Sequence, residues 1–323
     1  MTGVAVVTVN YSTPDLSIAA VESVLARDHG GRPVEVHLVD NASPGGDAEA
    51  FRQAHAARGW GERVTLWLET ENHGFGRGNN LVLKRLAARE TPPTFVFLLN
   101  PDATLENEAI DILAHALEDH PRAAVAGAGI AFPDGRPAVA CFRFPSLLSE
   151  VVSTLDFGPV YRVFPKGKVS LPPDWPEGEV DWVAGASVMM RLSALAEVGF
   201  FDPDFFLYYE EVELMRRLRR EGYRTLYVPR ARVSHIAGAA TDVSSHDPRP
   251  KRRPAYVYDS WRLYFEKVHG RGYALATSVA KIPAALAGAT LSRLRRRPSG
   301  QPIGFIGDHW RHVVRPLLRR PAE

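Results

Sequence analysis

A single cysteine, Cys141, occurs in the 323 residues. That excludes an internal disulfide framework and a cysteine-rich zinc site. The N-terminal stretch MTGVAVVTVNYS has neither the basic flank nor the long apolar core of a secretory leader, so a reducing, cytoplasmic setting is the expectation. A spanning helix needs about 20 predominantly apolar residues, and the best candidate, 273–294, is interrupted by Lys281 and Pro283. The dinucleotide-binding glycine pattern is missing as well. NHGFGRGNN (72–80) spaces its glycines at 74, 76 and 78, with no ribose-binding acid at the expected distance. A nicotinamide dehydrogenase is thereby disfavoured. A nucleotidyltransferase normally carries a glycine-rich basic loop after its first strand, and NYSTPD stands there instead. No internal repeat occurs.

What is present is ordinary for a globular protein: 45% hydrophobic and 24% charged residues. The length suits one large domain with an appendage, or two domains. Net charge is +2, but it is unevenly placed. Residues 271–323 hold ten Lys/Arg and two acids, a tail of +8 on a body of −6. A basic tail on an acidic body points to a negatively charged partner, such as a membrane surface or nucleic acid.

Apolar runs alternate with helical patterns. VAVVTVN (4–10), VEVHLVD (34–40), RVTLWLE (63–69), FVFLL (95–99) and AAVAGAGIAF (123–132) read as strands. Helices are expected from Thr13-Pro14, near 47–58, and up to about Arg89. This alternation implies a mainly parallel sheet covered on both faces. Residues 133–180 are rich in proline, glycine and aromatics and read as long loops with one hairpin. Order returns at DWVAGASVMMR (181–191), in a helix near 211–221 stopped by Gly222, and in the strand YRTLYVP (223–229). SSHDPRPKRRP (244–254) reads as a linker before helices near 255–269 and 273–297. Two units follow: a catalytic-type domain over 1–243, and a linker with a basic helical extension over 244–323.

FVFLL runs into Asn100-Pro101-Asp102. Pro101 cannot continue an ordinary ladder, so Asp102 falls at the carboxyl edge of a strand, where open α/β sheets bind ligands. The alternative is that Asp102 caps a helix spanning about 105–117. Asp40 likewise ends a strand in VDNAS, where carboxylate, amide and hydroxyl suit a nucleobase or ribose; a local Asx-turn is an equal alternative. NHGFGRGNN permits close backbone approach before a helix start, and Arg77 could meet a diphosphate or a base. FFDPDFFLYYEEVELMRRLRREGY (200–223) runs aromatics into Glu210, Glu211 and Glu213. Acids there complement a helix dipole, but aromatics beside carboxylates also make a partly desolvated general base. His235, in SHIAG, is structural by default. With Asp102 it could complete a divalent metal site using a substrate's phosphates, Mg2+ preferring oxygen and Mn2+ tolerating imidazole.

In order along residues 4–240, the stretches VVTVNYS, VDNAS, NHGFGRGNN, LLNPDA, WVAGASVMMR, FDPDFFLYYEEVELMRRLRREGY and HIAGAAT resemble the inverting family 2 glycosyltransferases of the GT-A fold, in the branch of bacterial rhamnosyltransferases. The resemblance implies a Rossmann-like, mixed but mainly parallel sheet flanked by helices. It implies transfer of a sugar, rhamnose among the candidates, from a dTDP- or UDP-sugar to a saccharide or lipid-linked glycan of the cell envelope. Thr8, Asn10, Tyr11, Asp40, Asn41, Arg77, Asn80, Asn100 and Asp102 would then serve the nucleotide-sugar. Asp102 and His235 would hold Mn2+ or Mg2+. YYEEVEL stands at the family's E-D-x-D-L position, so Glu211 would be the catalytic base where the family has Asp. Trp182 and Glu210 would meet the acceptor. Such an enzyme would be cytoplasmic, peripheral on the inner face of the plasma membrane through its basic tail, and without a nucleic-acid partner. Because Glu replaces Asp, a non-catalytic nucleotide-sugar sensor or scaffold is the rival reading, with a nucleotidyltransferase behind it.

Overall fold

The computed structural model describes residues 2–236, 238, 251–298 and 300–319. The first half alternates strand and helix: β1 (Val4–Asn10), α1 (Pro14–Leu25), β2 (Val34–Asp40), α2 (Asp47–Ala57), β3 (Val64–Leu68), α3 (Gly74–Ala87) and β4 (Phe95–Leu99). Then come β5 (Ala103–Leu105), α4 (Ala109–Asp119) and β6 (Ala123–Ala131). The middle holds β7 (Cys141–Phe142), α5 (Leu147–Leu155), α6 (Gly158–Val163), β8 (Gly178–Val180), β9 (Trp182–Val183) and β10 (Ser187–Arg191). The remainder is α7 (Leu192–Val198), α8 (Glu210–Arg220), β11 (Arg224–His235), α9 (Ala255–His269), α10 (Arg271–Leu294), α11 (Phe305–His309) and α12 (Arg315–Leu318).

The main sheet runs β3-β2-β1-β4-β10-β6-β11-β5, with β8 also on β11. Pairings β1–β2, β1–β4, β2–β3 and β6–β11 are parallel, whereas β10, β8 and β5 run against their neighbours. The sheet is mixed and mostly parallel, flanked by helices. Its central strands are apolar without alternation because both faces are buried. Phe95, Phe97 and Leu99 of β4 enter one core cluster with α1 and α4, while Val96 and Leu98 enter the other with α3, α7 and α8. Val4 and Val6 divide from Ala5 and Val7 in the same way.

Residues 133–180, expected to be loops, contain α5 and α6. Ser146 caps α5 reciprocally with Ser149, so this local helix start carries its own signal. The helix expected over 105–117 begins at Ala109 instead, after β5. The expected domain boundary and most of the linker fall outside the described residues. Beyond it, Tyr258, Trp261, Tyr264 and Phe265 of α9 share a buried cluster with Phe205 and Val212 of the sheet-bearing half. Helix α10 packs against α5 and α9. Its Lys281 is buried in an ion pair with Glu150, which also accepts from Trp261 Nε1 at 2.8 Å.

Candidate active site

Parallel register brings Asn10 beside Asp40 at the carboxyl ends of β1 and β2. A cavity of about 530 Å3 opens at that edge, where an open α/β sheet receives ligands. Asn100, Pro101 and Asp102 follow β4 and line it. The antiparallel β11–β5 pairing sets His235 opposite Ala103. As a result His235 Nε2 stands 3.0 Å from Asp102 Oδ1 and 3.4 Å from Asn100 Nδ2. Ile236 N also donates to the carbonyl of Asp102 at 3.1 Å. With α4 starting at Ala109, Asp102 is not a helix cap; it is buried on the cavity wall.

The start of α8 forms another part of the lining. Glu210 and Glu211 both line the cavity, and each has an Oε2 with no hydrogen-bond partner among the described residues. Burial pushes both carboxyls above the usual range. The charge of Glu211 pushes Glu210 further, whereas backbone amides at the helix start moderate Glu211. Glu213 faces away from this chemistry. Both its oxygens accept from Arg217 Nε, at 2.7 and 2.9 Å, and Arg217 also donates to the carbonyls of Val198 and Phe200.

The approach to Glu210 is strained. Tyr208 and Tyr209 both hold left-handed backbone, at φ 71° and 70°, which non-glycine residues adopt only under constraint. The constraint is visible. Ser260 Oγ donates to Leu207 O at 2.8 Å, Phe75 N donates to Phe206 O at 3.1 Å, and Tyr209 packs on Tyr264. Gly74, at φ +73°, sits so close that a Cβ there would overlap the Phe206 carbonyl. The glycines of NHGFGRGNN thus serve packing: Gly74 against Phe206, Gly76 against Phe201, Gly78 against Val9.

Tyr11, Asn41, Asn100, Asp102, His235, Glu210 and Glu211 are brought together on one cavity. Other expected contacts are not on its lining. Asn10 is a buried hub, donating to Asp40, Ser43 and Asp47 and accepting from Thr13 and Ser17. Asp40 is buried and its Oδ1 accepts from Asn10 and from Ser43 N, the turn-forming alternative. Thr8 is buried, and its hydroxyl has no hydrogen-bond partner among the described residues. Arg77 turns back to the carbonyl of His73, and Asn80 makes two hydrogen bonds to the Phe201 backbone. Trp182 stacks on Phe142 at 4.0 Å and donates to Arg143 O, away from the cavity. The residues that sequence reasoning missed are small or distant. Ala184, Gly185 and Ala186 lie inside a quoted motif but carry no functional group. Tyr256 comes from α9, beyond the linker, and packs against Phe206 and Tyr208 on the cavity rim.

The family model described as "Glycosyltransferase like family 2" matches residues 2–249. The chain belongs to that family. It is 32% identical over 254 residues to the N-acetylglucosaminyl-diphospho-decaprenol L-rhamnosyltransferase of Mycobacterium tuberculosis, covering 75% of this chain and 79% of the relative. It is 26% identical over 170 residues to rhamnosyltransferase WbbL of Escherichia coli, covering 51% of this chain and 61% of WbbL. Among solved structures, mannosyltransferase PcManGT from Pyrobaculum calidifontis, in complex with GDP-Man and Mn2+, superposes with a TM-score of 0.55 at 19% identity, over 91% of this chain and 75% of PcManGT. GalNAc-T7 with UDP, GalNAc and Mn2+ gives 0.59 at 13%, over 97% of this chain and 59% of GalNAc-T7. These likenesses establish the GT-A fold, and the chain is a family 2 glycosyltransferase resembling rhamnosyltransferases.

Proposed function

We propose that this glycosyltransferase moves a sugar, rhamnose first among candidates, from a dTDP- or UDP-sugar to a polyprenyl-diphosphate-linked glycan, inverting the anomeric centre. The observation that carries the reading is one cavity with two chemically distinct walls. Asp102 and His235 form one, the buried carboxyls of Glu210 and Glu211 the other. The name of the M. tuberculosis relative supports the acceptor class and the sugar. A cytoplasmic enzyme working at the inner face of the plasma membrane fits such an acceptor.

Asp102 and His235 suit a divalent cation only in part: they offer one oxygen and one nitrogen donor at 3.0 Å separation. Among the described residues no group of three or more His, Cys, Asp or Glu could hold a metal. That donor set fits a cation completed by a nucleotide diphosphate rather than a resident protein cage. Mn2+ or Mg2+ bound there would offset the charge that develops on the departing diphosphate.

The remaining chemistry belongs to the carboxyls. Glu211, in its ionised form, accepts the proton of the acceptor hydroxyl as that oxygen attacks the anomeric carbon. The bond from that carbon to the diphosphate oxygen breaks on the opposite face, through an oxocarbenium-like transition state. Glu210, held protonated by burial and by its neighbour's charge, donates a hydrogen bond to a sugar hydroxyl. Asn41 ties the end of β2 to the 72–74 turn, accepting from His73 N and donating to Asn72 and Gly74 O, and so fixes the nucleotide side of the cavity. Domain 1–243 carries this chemistry, and the extension adds Tyr256 to the rim. The test is transfer from dTDP-rhamnose to a synthetic polyprenyl-diphosphate N-acetylglucosamine, with the product anomer read by NMR. Inverted product is expected. Retained configuration would overturn the mechanism, and donor binding without turnover would favour the sensor.

A further inference from the structure

Helix α10 turns its larger apolar residues outward. Its buried face carries Ala274, Thr277, Ser278, Lys281, Ala284, Ala285 and Gly288, whereas its outward positions include Val279, Pro283, Leu286 and Leu294. Val279 is 48%, Leu286 55% and Leu294 77% exposed. By length and composition α10 is apolar enough to cross a bilayer. It does not do so in this fold: it lies on α5 and α9, anchored by the buried pair of Lys281 and Glu150.

The end of α10 meets the α5–α6 corner. The guanidinium of Arg295 stacks 4.2 Å from the ring of Phe157, and Gln301 donates to the carbonyl of Thr154. Beyond Phe157, Val163 is 70% exposed and Phe164 is also open. Exposed bases lie in the same two segments: Arg162 and Lys166 beside Val163 and Phe164, and Arg293, Arg296 and Arg297 beside Leu294. No Asp or Glu occurs in 157–168 or in 271–298. An exposed apolar strip beside one-signed charge marks an interaction surface.

We propose that the outward face of α10, with the Phe157–Phe164 corner, docks in the interfacial plane of an anionic bilayer. Charge selects this occupant. A second copy meeting the face isologously would offer no Asp or Glu from 157–168 or 271–298 to pair with Arg293, Arg296 and Arg297. Nucleic acid would leave Val279, Leu286 and Leu294 unused, since its affinity comes from phosphate neutralisation. An anionic leaflet uses both features: headgroups meet the arginines, and the strip enters the headgroup–acyl boundary. The membrane surface is therefore a helix face with a basic end, rather than a basic tail alone.

The test is flotation of the full chain with vesicles of phosphatidylglycerol and phosphatidylcholine, against phosphatidylcholine alone. These vesicles hold no glycan acceptor, so the outcome is independent of the transfer reaction. Binding is expected only to the anionic vesicles, weakening with salt. Arg293→Glu, Arg296→Glu and Arg297→Glu combined should lower partitioning by on the order of 10²-fold or more. Leu286→Asp with Leu294→Asp, arginines intact, should lower it too. All five positions are exposed, so unchanged melting temperatures show that the variants fold. No binding to anionic vesicles, or binding indifferent to the leucine pair, overturns the proposal. A lipid-free, concentration-dependent dimer broken by Leu286→Asp overturns it in favour of self-association.

Discussion

Gly74→Ala is the substitution that separates packing from ligand binding in the glycine-rich turn. Gly74 holds φ +73°, and a Cβ there would stand 2.9 Å from the Phe206 carbonyl carbon and closer still to its oxygen. Left-handed backbone costs an L-residue about 1–2 kcal/mol. Moving Phe206 also breaks the bond from Phe75 N, worth about 1 kcal/mol. A loss of about 2–3 kcal/mol in stability follows from the two together. The larger effect is catalytic. Phe206 begins the strained run through Tyr208 and Tyr209 that delivers Glu210 and Glu211 to the cavity. A displacement of about 1 Å in a catalytic group costs on the order of 10²-fold. Donor affinity should fall too, because Gly74 O accepts from Asn41 on the cavity lining, but by less than turnover. Calorimetric titration with the nucleotide and steady-state transfer measure the two separately. Gly76→Ala is the control: its φ is ordinary, and its Cβ would stand 3.1 Å from a Phe201 side-chain atom. If Gly74→Ala turns over like wild type, the turn does not support Glu211; if donor affinity falls as far as turnover, the turn binds ligand instead.

Glu210→Gln should stabilise the protein at neutral pH. Burial raises the Glu210 pKa in the folded state above its ordinary 4.5, so its favourable protonation persists below pH 4.5 and is lost as pH rises through the folded value. The gain, about 1.4 kcal/mol for each tenfold difference in proton affinity, should vanish in melts below that pH; a gain independent of pH would refute the burial argument. Asp102→Asn should abolish metal-dependent nucleoside-diphosphate binding measured by thermal shift, and unchanged affinity would return Asp102 to a structural role. Lys281→Ala leaves Glu150 buried with Trp261 Nε1 as its side-chain donor among the described residues. A loss of about 3–5 kcal/mol in chemical unfolding is expected, largely restored when Glu150→Gln is added. An equally unstable double variant would show that the loss was packing.

The sheet was legible because both its faces are buried: uninterrupted runs such as FVFLL and VAVVTVN leave no other place for those side chains. The Asp102–His235 pair was legible as a chemical possibility, but not its contact, since 133 residues separate them and antiparallel β5–β11 pairing joins them. Asn10 and Asn80 lie off the cavity lining for a physical reason. A buried amide satisfied within the protein and a ligand-binding amide look alike in sequence, and only the partners distinguish them. Glu213 illustrates the same point: nothing local announces that Arg217, one turn later, occupies both its oxygens. Tyr256 was illegible because no motif surrounds it. It reaches the cavity through the packing of α9 on α8, set by Phe205, Val212, Tyr264 and Phe265.

The assignment of Glu211 as the general base is tested most directly by single-turnover transfer with Gln at 210, 211 and 213 in turn, donor affinity being measured in parallel. Glu211→Gln is predicted to lose about 10²–10⁴-fold in the chemical step with donor affinity retained. Glu210→Gln should lose far less, and Glu213→Gln should lose stability through Arg217 before it loses chemistry. Wild-type turnover in Glu211→Gln, with Glu210→Gln inactive, would contradict the account and move the base one residue along α8.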